Sequence, residues 1–337
     1  MTSPLLTCPK HMEYGPCGGV EFDGSCEVSP RRCVFLDTAT VQFRGTPTDA
    51  PPTAAAASMR ERLATTQIVV ADFPARALSA ASIVECAAIL AGNTDAVLAG
   101  DAGNARVQFP PAYRAHLIQS AGIPVWTGIN NRDRNRVAIE GELAALAEVG
   151  VAGVHCVTGD HTLTGDRPDA APVFDLDSTR TATLARAVGH LVSVAEAPAT
   201  PPIERRPDRL LQKMRAGAEV CFVNHAGGVE PVRVFVDRAH QLGATMAFIP
   251  CVPVVVDRQS AELLESFTTL VLPDGFLARI LAARDPFEEG IAAAVELSRE
   301  LLQLDGVRGV NLSGGTSAGR EAWFAEALAR IGAELHG

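Results

Sequence analysis

The chain has 337 residues, 47% of them hydrophobic and 20% charged, and carries a formal net charge of −10. That length and apolar content suit one large α/β domain with an appendage, and the acidic balance argues against nucleic acid as the main partner, because a phosphate-binding surface needs a basic patch. No apolar run reaches the ~18 residues that span a bilayer, and the start MTSPLLTCPKHME lacks the basic and apolar zones of a secretory signal, so a cytoplasmic protein without membrane contact is expected.

In chain order, residues 1–37 come first. They are rich in Cys, Gly and Pro and show no sustained periodicity. Cys8, Cys17, Cys26 and Cys33, half of the eight cysteines, are separated by eight, eight and six residues. Glycines at 15, 18, 19 and 24, with Pro9 and Pro16, impose turns that bring thiolates together. A segment this short cannot bury enough surface to fold unaided, and a metal held by thiolates supplies folding energy. In a cytoplasmic setting such a cluster points to metal rather than disulfides. Four thiolates suit Zn or a [4Fe–4S] cluster, with His11, Glu13 and Glu27 near enough in sequence to replace one of them. The alternative is four unrelated thiols on a loop. Residues 38–58 read as a linker that wraps or spaces.

From residue 59 to the end, short apolar runs alternate with longer amphipathic stretches. The runs are QIVVADF (67–73), TDAVLAG (94–100), PVWTGI (124–129), AGVHCVT (152–158), HLVSVAE (190–196), AEVCFVN (218–224), TMAFIPC (245–251) and VRGVNLS (307–313). Continuous hydrophobicity suits strands buried on both faces of a parallel sheet. Helical stretches such as 137–150 and 231–243 each close on Gly, a common helix stop. Eight strands alternating with helices predict a (βα)8 TIM barrel with an N-terminal Cys-rich metal-binding segment. The stretch 258–306 is long enough for one or two extra helices before the eighth strand. A doubly wound open sheet is the competing fold, but no G-x-G-x-x-G follows the first strand, and the glycines of NLSGGTSAGR (311–320) stand in the wrong order.

Barrel enzymes place their chemistry at the C-terminal ends of the strands. The residues there include Asp72, Asp101, Asn104, Asn130, Asn131, Asp160, Glu196, Asn224, His225, Cys251, Asn311 and Ser313. The set is rich in acids and amides and poor in Lys and Arg, which favours a ligand with donors to satisfy, such as a pterin ring. In VTGDHTLTGDRP (157–168), Gly159 allows a sharp turn and Asp160 then projects over the mouth, where its carboxylate can accept paired N–H bonds or stabilise a developing cation; its plainer role is a loop cap. His225 is placed for general acid or base work, or for a structural hydrogen bond. Glu196 is a candidate acid or the partner of Arg205 or Arg206. His155 reads as a wall residue, and Cys156, Cys221 and Cys251 as small buried hydrophobes. The basic run NNRDRNR (130–136) is too short to restore a nucleic-acid role and reads as a solvated loop and helix start.

These residues resemble the methylenetetrahydrofolate reductase family. VVADFPAR (69–76) is similar to that family's first strand, CVTGD (156–160) to its L-R-G-D, LLQKMRAGAEVCFVNH (210–225) to its K-x-x-A-G-A-(D/E)-x-x-x-T-Q segment, and FIPCVPVV (248–255) to its I-P-G-I-x-P. The N-terminal CPKHMEYGPCGGVEFDGSCEV resembles the so-called C-terminal domain of that family, which in anaerobic reductase complexes lies on a metal- or iron–sulfur-bearing partner subunit. The strict equivalent of the family's acid is Ala71, and Asp72 serves only if the strand end is shifted. Thr158 replaces an Arg, Ala197-Pro198 a Tyr-Pro, and Asn224-His225 the Thr-Gln that grips the pterin.

The resemblance implies a folate-dependent enzyme that reduces methylenetetrahydrofolate to methyltetrahydrofolate by hydride transfer. Asp72, Asp160 and His225 are its expected catalytic residues. Asp160, Glu196, Asn224, His225 and Asn130 are expected to contact the tetrahydrofolate derivative. NAD(P)H is the expected hydride source, since the altered flavin-side groups weaken the case for FAD. Two other readings are a folate-dependent methyl or one-carbon transferase without redox chemistry, and a non-catalytic metal-bearing subunit of a reductase complex. A homo-oligomer or a redox partner protein is compatible with each.

Overall fold

The computed structural model describes residues 7–101, 105–267 and 269–337. The expected alternation is present. Strands β3 (Ile68–Asp72), β4 (Ala96–Ala99), β5 (Val125–Asn130), β6 (Gly153–Val157), β7 (Val192–Glu196), β8 (Val220–Val223), β9 (Ala247–Val254) and β10 (Gly309–Gly314) form a closed barrel. Every neighbouring pair is parallel, and β10 closes the ring by pairing with both β9 and β3. Between strands lie α2 (Ala80–Leu90), α3 (Pro111–Gln119), α4 (Arg136–Val149), α5 (Ser178–Ala187), α6 (Arg206–Arg215) and α7 (Val229–Gln241). The long stretch before β10 holds α8 (Arg258–Glu265), α9 (Phe276–Ala282) and α10 (Pro286–Leu301), and α11 (Glu321–His336) ends the chain. Helix α4 stops where its sequence indicates, at Gly150 with φ of 76°, a left-handed conformation that a side chain would strain.

Strand alternation sorts the side chains into two layers. Val69, Ala71, Val97, Val125, Val154, Cys156, Val194, Cys221 and Val310 point outward into a continuous core shared with the surrounding helices. Ile68, Val70, Ala96, Trp126, Val220, Phe222 and Ile249 form a separate cluster inside the barrel. Because both faces are buried, the strands read as continuous apolar runs, and Cys156 and Cys221 are the small hydrophobes they were expected to be.

Two pieces of N-terminal chain close the two ends. Helix α1 (Ala54–Thr65) begins within the stretch read as a linker, capped by Thr53, whose hydroxyl accepts from the Ala56 N–H at 3.2 Å. Its Ala56, Met59 and Leu63 belong to the interior cluster at the N-terminal ends of the strands, so it plugs the bottom of the barrel. Residues 38–53 run down the outside from top to bottom. Arg205 donates to the Thr38 carbonyl at 2.6 Å, Gln212 accepts from Phe43 N–H at 2.9 Å, Arg186 binds Asp49 at 2.7 Å, and Thr53 N–H reaches the Gly189 carbonyl at 3.2 Å. The cysteine-rich segment, with its short antiparallel pair β1 (Ser25–Cys26) and β2 (Ser29–Arg32), lies over the other end. Among the described residues no helix is long and apolar enough to cross a membrane.

Candidate active site at the barrel mouth

The C-terminal ends of the strands and the cysteine-rich segment enclose two adjoining cavities. The larger, of about 350 Å³, is walled by Asn130, His155, Asp160, Glu196, Arg209, Lys213 and Asn224 from the barrel and by Lys10, Met12, Cys17, Gly18 and Gly19 from the segment. The smaller, of about 300 Å³, includes Glu27, Arg106, His225, Cys251 and Ser313. Asp160, Asn224, Thr269, Gly18 and Gly19 line both. Four of the residues expected to contact ligand therefore share the larger cavity, and His225 joins two of them in the smaller. Asn104 lies outside the described residues.

Asp160 stands over the mouth as the sequence indicates. Gly159 has φ of +87°, and a Cβ there would sit 2.9 Å from the Asn130 Cβ, so only glycine fits the turn that presents Asp160. Its side chain is 69% exposed, and the Arg106 guanidinium is 4.0 Å away, leaving the carboxylate open to a ligand. Asn130 is held in place rather than free. Its amide donates to both oxygens of Asp101 at 2.9 and 3.1 Å, and its carbonyl oxygen accepts from the Arg132 N–H at 3.1 Å. Arg132 in turn binds Asp101 at 2.9 Å.

Glu196 differs from a mouth residue in its direction. Strand alternation turns it outward, toward α6, where Lys213 Nζ meets it at 2.7 Å and Arg206 at 3.2 Å. The carboxylate is buried, yet the charges of Lys213, Arg206 and Arg209 overcome the desolvation and hold it below the usual carboxylate range. Of the two Arg partners considered in the sequence, Arg206 is the one engaged. Arg205 instead donates to carbonyls of residues 35–38 and anchors the strap. Arg209 pairs with Asp177 at 3.4 Å, and Asp177 also caps α5 by accepting from Thr179 and Arg180 N–H. The cations of this wall are thus already committed to protein carboxylates.

His225 is 9% exposed, and neither ring nitrogen has a partner among the described residues. Burial alone lowers it to about 4, so at neutral pH it is an uncharged imidazole able to donate from one nitrogen and accept at the other. His155 faces the cavity from below. Its Nδ1 is 2.9 Å from the Ser193 hydroxyl, and burial, followed by the Lys213 charge, lowers it to about 3. Cys251, read as a small buried thiol, borders the smaller cavity because its strand position points inward, and Cys156 borders the larger.

Asp72 points inward while Ala71, the strict match to the family's acid, is fully buried in the outer layer. The Asn311 amide donates to Asp72 Oδ1 at 2.9 Å and lies 3.6 Å from the Cys251 sulfur. Ser313, which lines the smaller cavity, also hydrogen-bonds Asp72, which therefore lies one contact behind the cavity wall. Burial raises its carboxyl, against hydrogen bonds from Asn311, Ser313 and the Gly314 backbone.

Sequence reasoning missed the contribution of the segment itself. Lys10 is 3% exposed, and its ammonium lies 2.5 Å from Glu27 Oε1, which also accepts the His161 N–H at 2.9 Å. Cys17 and Gly18 are tied to the barrel through their carbonyls, by Arg206 at 3.0 Å and Thr269 at 3.1 Å. Gly19 admits the Glu27 side chain where a Cβ would collide at 1.8 Å. No spacing in the sequence announces that residues 10 and 27 meet above strand β6.

The four segment cysteines line one further cavity of about 80 Å³. Among the described residues no group of three or more His, Cys, Asp or Glu side chains is arranged to hold a metal ion. The donor set nevertheless suits one: four free thiols surround a single space. Burial raises Cys8 to about 11, and burial also raises Cys26 and Cys33, with the neighbouring thiols adding to it. A cation placed among them would relieve that repulsion and favour the thiolates.

Residues 1–45 match the family described as Methylene-tetrahydrofolate reductase C terminal, as the N-terminal resemblance implies. No curated protein sequence matches the chain. Among solved structures, an uncharacterized protein from Clostridium thermocellum that binds two copies of 5-methyl-5,6,7,8-tetrahydrofolic acid superposes with a TM-score of 0.62 at 11% identity, over 82% of this chain and 98% of that one. Oxaloacetate acetylhydrolase superposes with a TM-score of 0.50 at 13% identity, over 81% and 84% of the two chains. At these identities the likeness is one of fold.

Proposed function

We propose that this barrel, its mouth covered by a reductase-type C-terminal element, is a folate-dependent one-carbon enzyme that reduces methylenetetrahydrofolate to methyltetrahydrofolate. The observation that carries the reading is the pair of joined cavities at the strand ends, lined by Asp160, Asn130, Asn224 and an unpartnered His225 directly beneath the matched element. A reduced pterin presents ring N–H and amino donors beside a carbonyl acceptor, and carboxylates, amides and a neutral imidazole meet both kinds. The Clostridium thermocellum barrel that binds methyltetrahydrofolate supports the same ligand class.

In this reading a hydride passes to the methylene carbon, the bond from that carbon to one folate nitrogen breaks, and that nitrogen takes a proton. Asp160, open to the cavity, stabilises the iminium cation that forms as the bond opens. Asp72 is the acid, kept protonated to higher pH by burial, and its proton reaches the cavity through the Ser313 hydroxyl that bonds it. Asn130, Asn224 and His225 hold the ring, and Glu196 fixes Lys213 and Arg206 in the wall. Thr158 and Ala197 stand where the family has flavin-side Arg and Tyr. The Thr158 hydroxyl is committed to Met12 and to the Ser178 N–H, so it does not serve a flavin, and the donor we propose is a nicotinamide. We further assign Cys8, Cys17, Cys26 and Cys33 as ligands of Zn or a [4Fe–4S] cluster, which would give the segment its order.

Incubating the protein with methylenetetrahydrofolate and NADH or NADPH tests the reaction. Oxidation of the nicotinamide with formation of methyltetrahydrofolate is expected. The position of Asp72 behind the wall favours one competing reading, a methyl transferase with no need of an acid there. Methyl transfer from methyltetrahydrofolate, without nicotinamide oxidation in either case, would establish it and remove the reductase.

A further inference from the structure

The cysteine-lined cavity and the barrel cavity are not separate sites. Lys10, Met12, Cys17 and Gly19 line both, so a wall one residue thick divides them. Each of these residues faces the thiols on one side and the strand ends on the other. The wall is anchored to the barrel at several points: Thr158 donates to the Met12 sulfur at 3.5 Å, Arg206 to the Cys17 carbonyl, and Glu27 bridges Lys10 and the His161 N–H. The segment thus closes the ligand cavity in addition to covering it.

Lys10 is the cationic member of this wall. It is a long cationic side chain, buried against the mouth, with Glu27 as its ion-pair partner at 2.5 Å. An ammonium has three donors, and a single carboxylate oxygen takes one. Full burial of a lysine is uncommon unless its remaining donors find acceptors. Lys10 borders the space that the barrel walls leave for ligand, with Cys17 and Asp160 the other charged groups that act on it besides Glu27.

We propose that Lys10 is a ligand-contacting residue of the barrel cavity, supplied by the cysteine-rich segment and donating to an acceptor atom of the bound ring, so that order among the four cysteines is a condition of ligand binding. This rests on the folate reading above. It assigns the segment a role in the site that does not depend on which ion the thiols hold or on electron transfer from it. By linkage, whatever organises the thiols tightens the ligand, and the ligand tightens the segment by the same factor.

The test uses the full chain as purified and 5-methyltetrahydrofolate as the probe. Titration calorimetry on wild type, Lys10→Met and the double variant Lys10→Met/Glu27→Gln reads the contact. The double variant removes the ammonium without leaving an unpaired buried carboxylate. Both are expected to bind about ten- to a hundredfold more weakly, the range for a hydrogen bond to a charged group. A second measurement needs no variant: amide hydrogen exchange of the wild type is expected to slow over residues 10–19 on ligand addition. Wild-type binding with unchanged affinity in the double variant, or with unchanged exchange over residues 10–19, overturns this proposal and leaves the folate reading standing. Failure of the wild type to bind the probe, while the segment is protected from exchange, removes the folate reading and this proposal with it.

Discussion

The two ends of the barrel are closed by neighbouring stretches of the same N-terminal chain, but in different ways. At the bottom, α1 inserts Ala56, Met59 and Leu63 into an apolar cluster with Trp126, Phe222 and Ile249. At the top, residues 8–37 bury Met12, Val20 and Phe35 but are also tied down by ion pairs and carbonyl hydrogen bonds, and they leave two cavities beneath them. An apolar plug contributes stability through area removed from water and needs no particular partner geometry. A cap that mixes apolar contacts with ion pairs depends on partner geometry, and it leaves polar groups facing a cavity. The difference separates the end that sustains the fold from the end that we read as the site.

Substitutions can break or sharpen this contrast. The largest effect is expected on the reaction: Asp72→Asn should lower the reductase rate by about 10²- to 10⁴-fold, the contribution of a positioned acid, while shifting the melting temperature less than any change to the plug. A rate within threefold of wild type would remove Asp72 from the chemistry. Next, Glu196→Ala leaves Lys213 and Arg206 buried without their carboxylate and should cost roughly 3–5 kcal/mol in urea unfolding. Glu196 lies at the top, so this would be a place where the functional end also carries stability; a loss below about 1 kcal/mol would return it to the pattern. At the bottom, Met59→Ala should cost about 2–5 kcal/mol with nicotinamide turnover of the folded fraction unchanged. A lowered turnover at equal folded fraction would mean that the two ends communicate.

The smallest effect concerns pH. Burial lowers His225 to about 4 and His155 to about 3, whereas in the unfolded chain each takes up a proton near pH 6.5. The unfolded state thus binds more protons between those values. Stability is complete above about pH 6.5 and falls as pH drops toward 4, by at most about 1.4 kcal/mol per unit for each histidine. Thermal melts of His225→Gln between pH 7 and 5 should show a shallower fall than wild type. An identical slope would mean that His225 is solvated in the folded protein.

How much of this was legible beforehand follows from range. The eight strands were readable because a two-sided strand announces itself by a continuous apolar run, and α4 because Gly150 marks its end. Gly159-Asp160 was readable because a turn at a strand end is a local event. The direction of Glu196 was not, since one residue of register decides whether a strand end faces the mouth or the helices. The inward position of Cys251 is decided in the same way. The approach of Lys10 to Glu27 and to the barrel cavity left no local trace, because it depends on a segment folding back over strands that begin some forty residues later.

Composition and periodicity by themselves determined a closed parallel barrel with polar strand ends and a front segment dense in thiols, since those properties follow from hydrophobic pattern and residue chemistry along the chain. Only the tertiary structure decided that the strap carries that segment to the top, that α1 fills the bottom, and that the thiol cavity and the barrel cavity share a wall. Contacts between residues distant in sequence are set by how whole elements pack, and no local pattern encodes them.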